Sequence, residues 1–260
     1  MNRQTEIERG ASFRNQSLAS SSKNLTNHGR PFDPENYSLE RLAGRIFARH
    51  RDRIRLRKPE AAVANLAGIV RTFLRLTNRK GFHATSLREL SEAAGLSMGG
   101  LYAYFDSKDT LLLMILGEVD STMREVLDAV PDEIAEDPLE HLRWVIDAHV
   151  RLTEVMQPWF AFVYMEAKSF SPTARLAAVD SERLVEQVLE TIIEKGRALG
   201  RFNVSDPVLT AALVKPLLQD WYVKRSKYRR RGIDIDRYIG RVTEVVESAV
   251  GVSAQASRAG

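Results

Sequence analysis

Residues 81–116, GFHATSLRELSEAAGLSMGGLYAYFDSKDTLLLMIL, carry the densest set of groups able to hydrogen-bond a partner. Hydroxyls at Thr85, Ser86 and Ser97, phenols at Tyr102 and Tyr104, and cations at Arg88 and Lys108 crowd a stretch that also holds Met98, Gly99 and Gly100. Their chemistry is non-covalent recognition. The spacing around them is that of two short helices joined by one turn. Leu90, Ala94, Leu96 and Leu101 form an apolar set that seats both helices, Ser91 is small where they cross, and Gly95 tolerates the positive φ of the turn. A helix-turn-helix holds its second helix against DNA at a fixed angle, so the span 86–105 predicts DNA binding and gene regulation.

Such a unit needs helices to position it. Leu66, Val70, Phe73, Leu74 and Thr77 recur at helical spacing between Ala61 and Gly81, and the glycine is a natural stop. Ser86 followed by Glu89 matches a capping box, Ser97 caps the reading helix, and Ser107 caps a longer helix from about Lys108 to Ala129. Beyond Pro131, Asp137-Pro138 opens a helix to about Gln157, and a short aromatic-rich piece runs from Trp159 to Phe170. Ser171-Pro172 starts a long helix ending near Gly200, Ser205-Asp206-Pro207 starts one running to Tyr228, and Asp234–Val250 forms the last. No strand alternation competes, and no internal repeat is evident. The expected fold class is all-α, with a three-helix DNA-binding domain at 59–120 and a larger helical domain at 121–252.

Residues 1–36 are polar and rich in Ser and Asn, too poor in apolar surface to offset ordering entropy, so they are expected to be disordered. Within the 1–58 extension, 38–57 could form a helix capped by Ser38, with Leu39, Leu42 and Ile46 on one side and Arg45, Arg49, Arg53 and Arg57 as an i+4 ridge. Residues 1–60 hold 13 Lys and Arg against 7 Asp and Glu, so the whole basic excess of a chain with net charge +4 lies there. The segment from Arg41 to Lys58 is therefore either an arm along flanking phosphates or in the minor groove, or a solvated basic tail. Residues 253–260 are expected to be a disordered tail.

The span 61–120 resembles the tetracycline-repressor-like (TetR) family of bacterial transcriptional regulators. The resemblance rests on Gly81-Phe82, on Thr85-Ser86-Leu87-Arg88, on Ala94-Gly95-Leu96-Ser97, and above all on Gly99-Gly100-Leu101-Tyr102-Ala103-Tyr104-Phe105 followed by Ser107-Lys108. The family usually has Lys-Gly-Thr/Ala-Leu-Tyr in the reading helix; here Met98 replaces the Lys and Gly100 the Thr or Ala. Position by position, Thr85 and Ser86 are expected to meet phosphate at a helix N-terminus, and Ser97 to cap the reading helix. Lys108 would pair with phosphate, and Tyr102 and Tyr104 would bond backbone oxygens, with a partly core position as the alternative for Tyr102. Arg88 is the candidate for guanine readout, with a solvated surface charge as the alternative. Met98 could meet a thymine methyl, and Gly99 and Gly100 let the backbone approach the groove.

The resemblance also implies that the C-terminal region binds a small effector and forms a homodimer on a palindromic double-stranded operator. Its own chemistry suits an apolar pocket, with plain core the more common use of such residues: Trp144, Ala148 and Leu152 share one helix face, Trp159, Phe162 and Val163 follow, and Pro216 should kink its helix and open space beside Leu213, Leu217 and Trp221. His149 and Glu166 are polar among apolar neighbours and could orient a ligand; two such groups do not make a metal site, and no metal or cofactor is expected. Lys and Arg crowd 224–231, which could attract an anionic ligand such as an acyl-CoA, so the effector class suggested is acyl-CoA or fatty-acid type, with a hydrophobic drug-like or aromatic ligand as the alternative. The dimer is expected on the 172–199 and 207–228 helices, where Leu176, Val179, Leu184, Val188, Ile192 and Leu199 form a stripe beside Val185, Leu189 and Ile193.

Composition limits the rest. With 44% hydrophobic residues the chain can build a core, and with no cysteine it has neither disulfides nor thiol catalysis. No apolar run reaches the roughly 18 residues of a membrane span and no secretory signal opens the chain, so a cytoplasmic protein without membrane contact is expected. No Gly-rich phosphate loop or acid–base cluster supports an enzyme. The expected function is a ligand-responsive repressor; an activator of the same fold and a helical adaptor or architectural protein are the alternatives.

Overall fold

The computed structural model describes residues 33–252, apart from Arg55 and Arg57. Expectations for residues 1–32, for Arg57 and for 253–260 lie outside the described residues. A 3-10 turn, Pro34–Tyr37, leads into α1 (Leu39–Arg49), and α2 (Pro59–Lys80), α3 (Leu87–Ala93), α4 (Met98–Tyr102) and α5 (Lys108–Asp128) follow. Then come α6 (Asp132–Glu136), α7 (Pro138–Val155), α8 (Gln157–Glu166), α9 (Pro172–Ala198), α10 (Pro207–Val223), α11 (Arg225–Arg230) and α12 (Ile235–Ala249). The fold is all-α, and the one strand-like pairing among the described residues is an isolated bridge between Phe202 and Val252.

Side chains punctuate these helices where the sequence says they should. Ser38, Ser86, Ser97, Ser107, Asp137, Asp206 and Asp234 each accept a backbone N–H in the first turn of the helix they open. The capping box at Ser86 is half made: Ser86 Oγ accepts from Glu89 N, but the Glu89 carboxylate ion-pairs with Lys80. Gly81 (φ 91°) ends α2 and Gly95 (φ 70°) makes the turn, both conformations that a Cβ would strain.

In the 1–58 extension the helix expected after Ser38 forms, shorter than its 38–57 bounds, and Pro34–Asn36, expected without order, make a turn before it. From the Pro34–Tyr37 turn onward it is part of the fold: Tyr37, Leu42, Ala43, Ile46 and Phe47 are buried, and α1 packs across α2 and α5. Leu42, Ala43, Ile46 and Phe47 recur at i, i+1, i+4 and i+5, an apolar stripe that only burial satisfies. The helix also ends at Arg49, and a turn through His50 carries the chain to a buried Ile54.

Helix α5 buries Leu111, Leu112, Ile115, Val119, Met123 and Val126 and packs on α1, α7, α8 and α9. It therefore runs from the helix-turn-helix into the C-terminal bundle as one uninterrupted helix. A second junction is aromatic. Phe73 of α2 meets Phe162 of α8 edge-on at 5.5 Å, and Phe82 meets Phe170 in the same way at 5.5 Å. In α10 the helix continues through Pro216, and breaks only at Lys224, earlier than the Tyr228 expected.

Candidate nucleic-acid interface and interior cavity

The helix-turn-helix forms as its apolar spacing requires. Leu90 and Leu101 are fully buried, and Ser91 is small enough to sit at the crossing, where its Oγ donates to Leu96 O at 2.6 Å. This bond fastens the turn to α3 and leaves Ser86, Arg88, Ser97, Gly99 and Tyr102 exposed. Arg88 is 86% exposed and makes only a loose pair with Glu92 at 3.7 Å, so its guanidinium is available to a partner. Met98 and Gly100 are half-buried. A Cβ at Gly99 would meet nothing nearer than Ser97 Oγ at 4.0 Å, whereas one at Gly100 would approach that atom to 3.3 Å.

Three of the phosphate ligands expected from the sequence have other duties. Thr85 is buried and its Oγ1 donates to Gly81 O at 2.9 Å, stitching the loop before α3. Tyr104 is buried as well; its hydroxyl lies beside Asn65, and burial pushes its pKa up. Lys108 donates to Phe82 O at 2.9 Å and Thr85 O at 3.1 Å, with its ammonium 4.3 Å from the centre of the Phe82 ring. Burial draws its pKa down, and two of its three donors are spent within the chain. It organises the loop that presents Ser86, with one donor left.

The basic ridge is likewise engaged. Arg45 Nε lies 3.0 Å and Arg49 Nη1 2.9 Å from the buried carboxylate of Glu118 on α5, and Arg45 also pairs with Glu125. Arg51 covers the Phe47 ring. Arg45 and Arg49 are thus ion-paired to α5 rather than free along a basic arm, though both stay partly exposed.

A cavity of about 430 Å³ opens between α5, α8, α9 and α10. Val119, Met123, Phe160, Val163 and Val185 line its apolar part, and Lys215, Glu182 and Gln219 its polar part. Lys215 is 4% exposed; its hydrogen bond is to Nε2 of the fully buried His149, at 3.4 Å. Burial lowers the Lys215 pKa to about 8, against the pull of Glu182 and Glu186, and drives that of His149 well below its ordinary value, with Lys215 adding to the effect. A more open groove of about 810 Å³ runs along Arg71, Arg75 and Arg79 of α2, with Trp159 at its side.

Of the pocket residues expected from the sequence, only Val163 lines the cavity, with His149 behind Lys215. Trp144, Ala148, Leu152 and Phe162 are packed core, and Trp159 borders the outer groove. Glu166 turns to the reading unit: its Oε2 accepts from Phe82 N at 2.7 Å. Leu213 is 64% exposed and Leu217 lies beside it on the outward face of α10, so Pro216 opens no space there. Trp221 is enclosed, stacked on Tyr228 at 5.5 Å, with its Nε1 donating to Glu154. The basic run beyond it is partly neutralised, since Arg225 pairs with Glu154 and Lys224 and Lys227 with Asp220. Sequence reasoning passed over Lys215, although a lone cation in the apolar run Ala212–Leu218 was a signal.

An all-helical chain with an exposed helix-turn-helix and a cavity-bearing helical bundle is a DNA-binding regulator in its architecture. Comparison with known proteins agrees. Residues 69–115 match the profile of bacterial regulatory proteins of the tetR family, and residues 135–223 that of a tetracyclin repressor-like C-terminal domain. The chain belongs to the TetR family of transcriptional regulators. It is 22% identical over 162 residues to the HTH-type transcriptional regulator HbdR of Aromatoleum sp., spanning 60% of this chain and 68% of that one. It is 33% identical over 81 residues to YerO of Bacillus subtilis, 31% of this chain and 28% of that one. Among solved structures, a tetR-family regulatory protein from Rhodococcus RHA1 superposes with a TM-score of 0.63 at 23% identity, covering 72% of this chain and 97% of that one. PfmR from Thermus thermophilus does so with a TM-score of 0.54 at 27% identity, covering 71% and 98%.

Proposed function

We propose that the chain is a ligand-responsive homodimeric repressor of the cytoplasm, which holds a palindromic operator when empty and releases it when a small apolar effector enters the cavity. The observation that carries this reading is the double attachment of the cavity wall to the reading unit. Helix α5 lends Val119 and Met123 to the cavity and begins at Lys108, which holds the Phe82 and Thr85 carbonyls. Helix α8 lends Phe160 and Val163 and ends at Glu166, which holds the Phe82 amide. An effector that binds the two positions of these helices with different affinity must shift the helix-turn-helix between two states.

The dimer reading is supported by an apolar outer face. Leu176, Val179 and Leu199 of the α9 region and Val208, Leu209 and Leu213 of α10 are exposed together with Leu217, more apolar surface than a lone helix pair usually leaves to water. Similar folds point to an acyl-type effector: FadR of Bacillus subtilis was solved with stearoyl-CoA, and AibR with isovaleryl coenzyme A and operator DNA.

Selection of bound DNA from a random pool, followed by operator titration with and without metabolite fractions, tests this. A palindromic site and a fraction that weakens binding are expected. Equal operator affinity at a saturating effector would sink induction, and a monomer by light scattering at micromolar concentration would sink the dimer.

A further inference from the structure

A buried ammonium needs oxygens around it. The amine of Lys215 carries three donors, and within the fold it has one long hydrogen bond, to His149 Nε2 at 3.4 Å. It makes no ion pair with a carboxylate within 4.0 Å among the described residues, although Glu182 and Glu186 lie close enough to be felt. Glu182, which also lines the cavity, has its Oε1 taken by Gln219 Nε2 at 2.6 Å and makes no direct contact with the ammonium. A charged Lys215 can bond His149 Nε2 only if that nitrogen accepts, and the other ring nitrogen, Nδ1, is buried with no partner. The polar end of the cavity thus holds a cation with unfilled donors, backed by an imidazole that supplies no counter-charge and flanked by a Glu182 carboxylate that is turned to Gln219. The other end is apolar, formed by Met123, Phe160 and Val163. Leaving a buried charge so poorly paired is costly, and a ligand oxygen anion would remove that cost.

We propose that the cavity takes a free monocarboxylate, with its carboxylate on the Lys215 ammonium and its hydrocarbon body against Met123, Phe160 and Val163. This deepens the functional reading above and rests on it for the consequence of binding, though not for binding itself. The volume of about 430 Å³ lies in the range of pockets for small organic ligands. A thioester such as an acyl-CoA has no charge at its carbonyl and would leave the ammonium unanswered. The acid has one there, and the charge at the carbonyl group separates the two classes.

Calorimetry on the full chain with hexanoate, octanoate, decanoate and 4-phenylbutyrate, each against its primary amide, reads the claim. At least one acid should bind about tenfold more tightly than its amide, and Lys215→Met should reduce that preference to about twofold or less. The variant replaces a buried charge with an apolar chain of similar length, so it should melt no lower than the parent; a parallel melt confirms that it is folded. If no acid binds, if amides bind as well as acids, or if the preference survives in Lys215→Met, the proposal is overturned. Operator affinity is measured separately by fluorescence anisotropy. Lys215-dependent acid binding that leaves operator affinity unchanged would uphold the carboxylate site and refute induction through it. Release of the operator by another effector, with no acid bound, would do the reverse.

Discussion

Arg49 Nη1 sits 2.9 Å from Oε2 of Glu118, and Arg45 Nε sits 3.0 Å from the other oxygen of the same carboxylate. Glu118 has no solvent exposure, and it lies midway along the helix that joins the helix-turn-helix to the C-terminal bundle. Burial pushes its pKa up against the two guanidiniums and the Thr122 hydroxyl. The carboxylate pins α1 to α5. Glu118→Ala should destabilise the protein by about 2 kcal/mol, less than the roughly 3–5 kcal/mol of breaking a fully buried pair, because both guanidiniums keep some water. Chemical denaturation of this variant, of Arg49→Ala and of the double variant would measure the coupling. Strict additivity would mean that the contact does no work.

Tyr102 and Tyr104 are two residues apart and should respond oppositely. Tyr102 is 47% exposed on the reading helix, and Tyr104 is 2% exposed in the core. Tyr102→Phe should weaken operator binding by about threefold to tenfold with no change in melting temperature, as for loss of one hydrogen bond of roughly 1 kcal/mol. Tyr104→Ala should lower stability by about 3 kcal/mol, as large-to-small core changes do. Anisotropy and thermal melts on the same samples separate the two, and a folded Tyr104→Ala with parental stability would contradict the burial.

The bond from Phe82 N to Glu166 predicts an uncoupling variant. Glu166→Ala removes the acceptor at 2.7 Å and leaves the cavity lining intact. Effector affinity should stay within about twofold, while the effector's influence on operator affinity shrinks, since coupling is a free energy separate from either binding step. Faster amide exchange at Phe82 would report the lost bond directly. Unchanged coupling would move the signal wholly to α5.

Asp220 sets a piece of the acid limb of stability. Burial raises its pKa, but hydrogen bonds from Lys224, Lys227 and Tyr228 prevail and bring it down to about 2. A carboxylate depressed in the folded state stabilises fully above its unfolded pKa of about 3.9 and loses that contribution as pH falls through its folded value. Between about pH 4 and about pH 2, Asp220→Asn should therefore lose stability less steeply than the parent. Parallel slopes across that window would show that the network does not titrate.

The helix starts were legible because each carries its own chemistry. Ser107, Asp137-Pro138 and Asp206-Pro207 announce a first turn whatever the chain does elsewhere, and Gly95 announces the turn between reading helices. The roles of Arg45 and Arg49 were not, since their partner Glu118 lies about 70 residues away in the sequence and nothing local distinguishes a paired guanidinium from a free one. The cavity was harder still. Trp144, Leu152 and Phe162 have the composition of a pocket, but filled and empty space between helices differ only in the register of four elements. Lys215 is visible in the sequence as a misplaced cation, yet only packing shows that its amine faces a void.

Gly99 gives the reading helix an unwritten position. The space beyond its missing Cβ is clear to 4.0 Å, where only the Ser97 hydroxyl stands. A side chain can be installed there without disturbing the Leu90 and Leu101 seat that holds the helix. Its sequence preference is thus open to rewriting one residue at a time, with asparagine or arginine at position 99 as new letters, and descendants of this chain could acquire new target promoters without refolding.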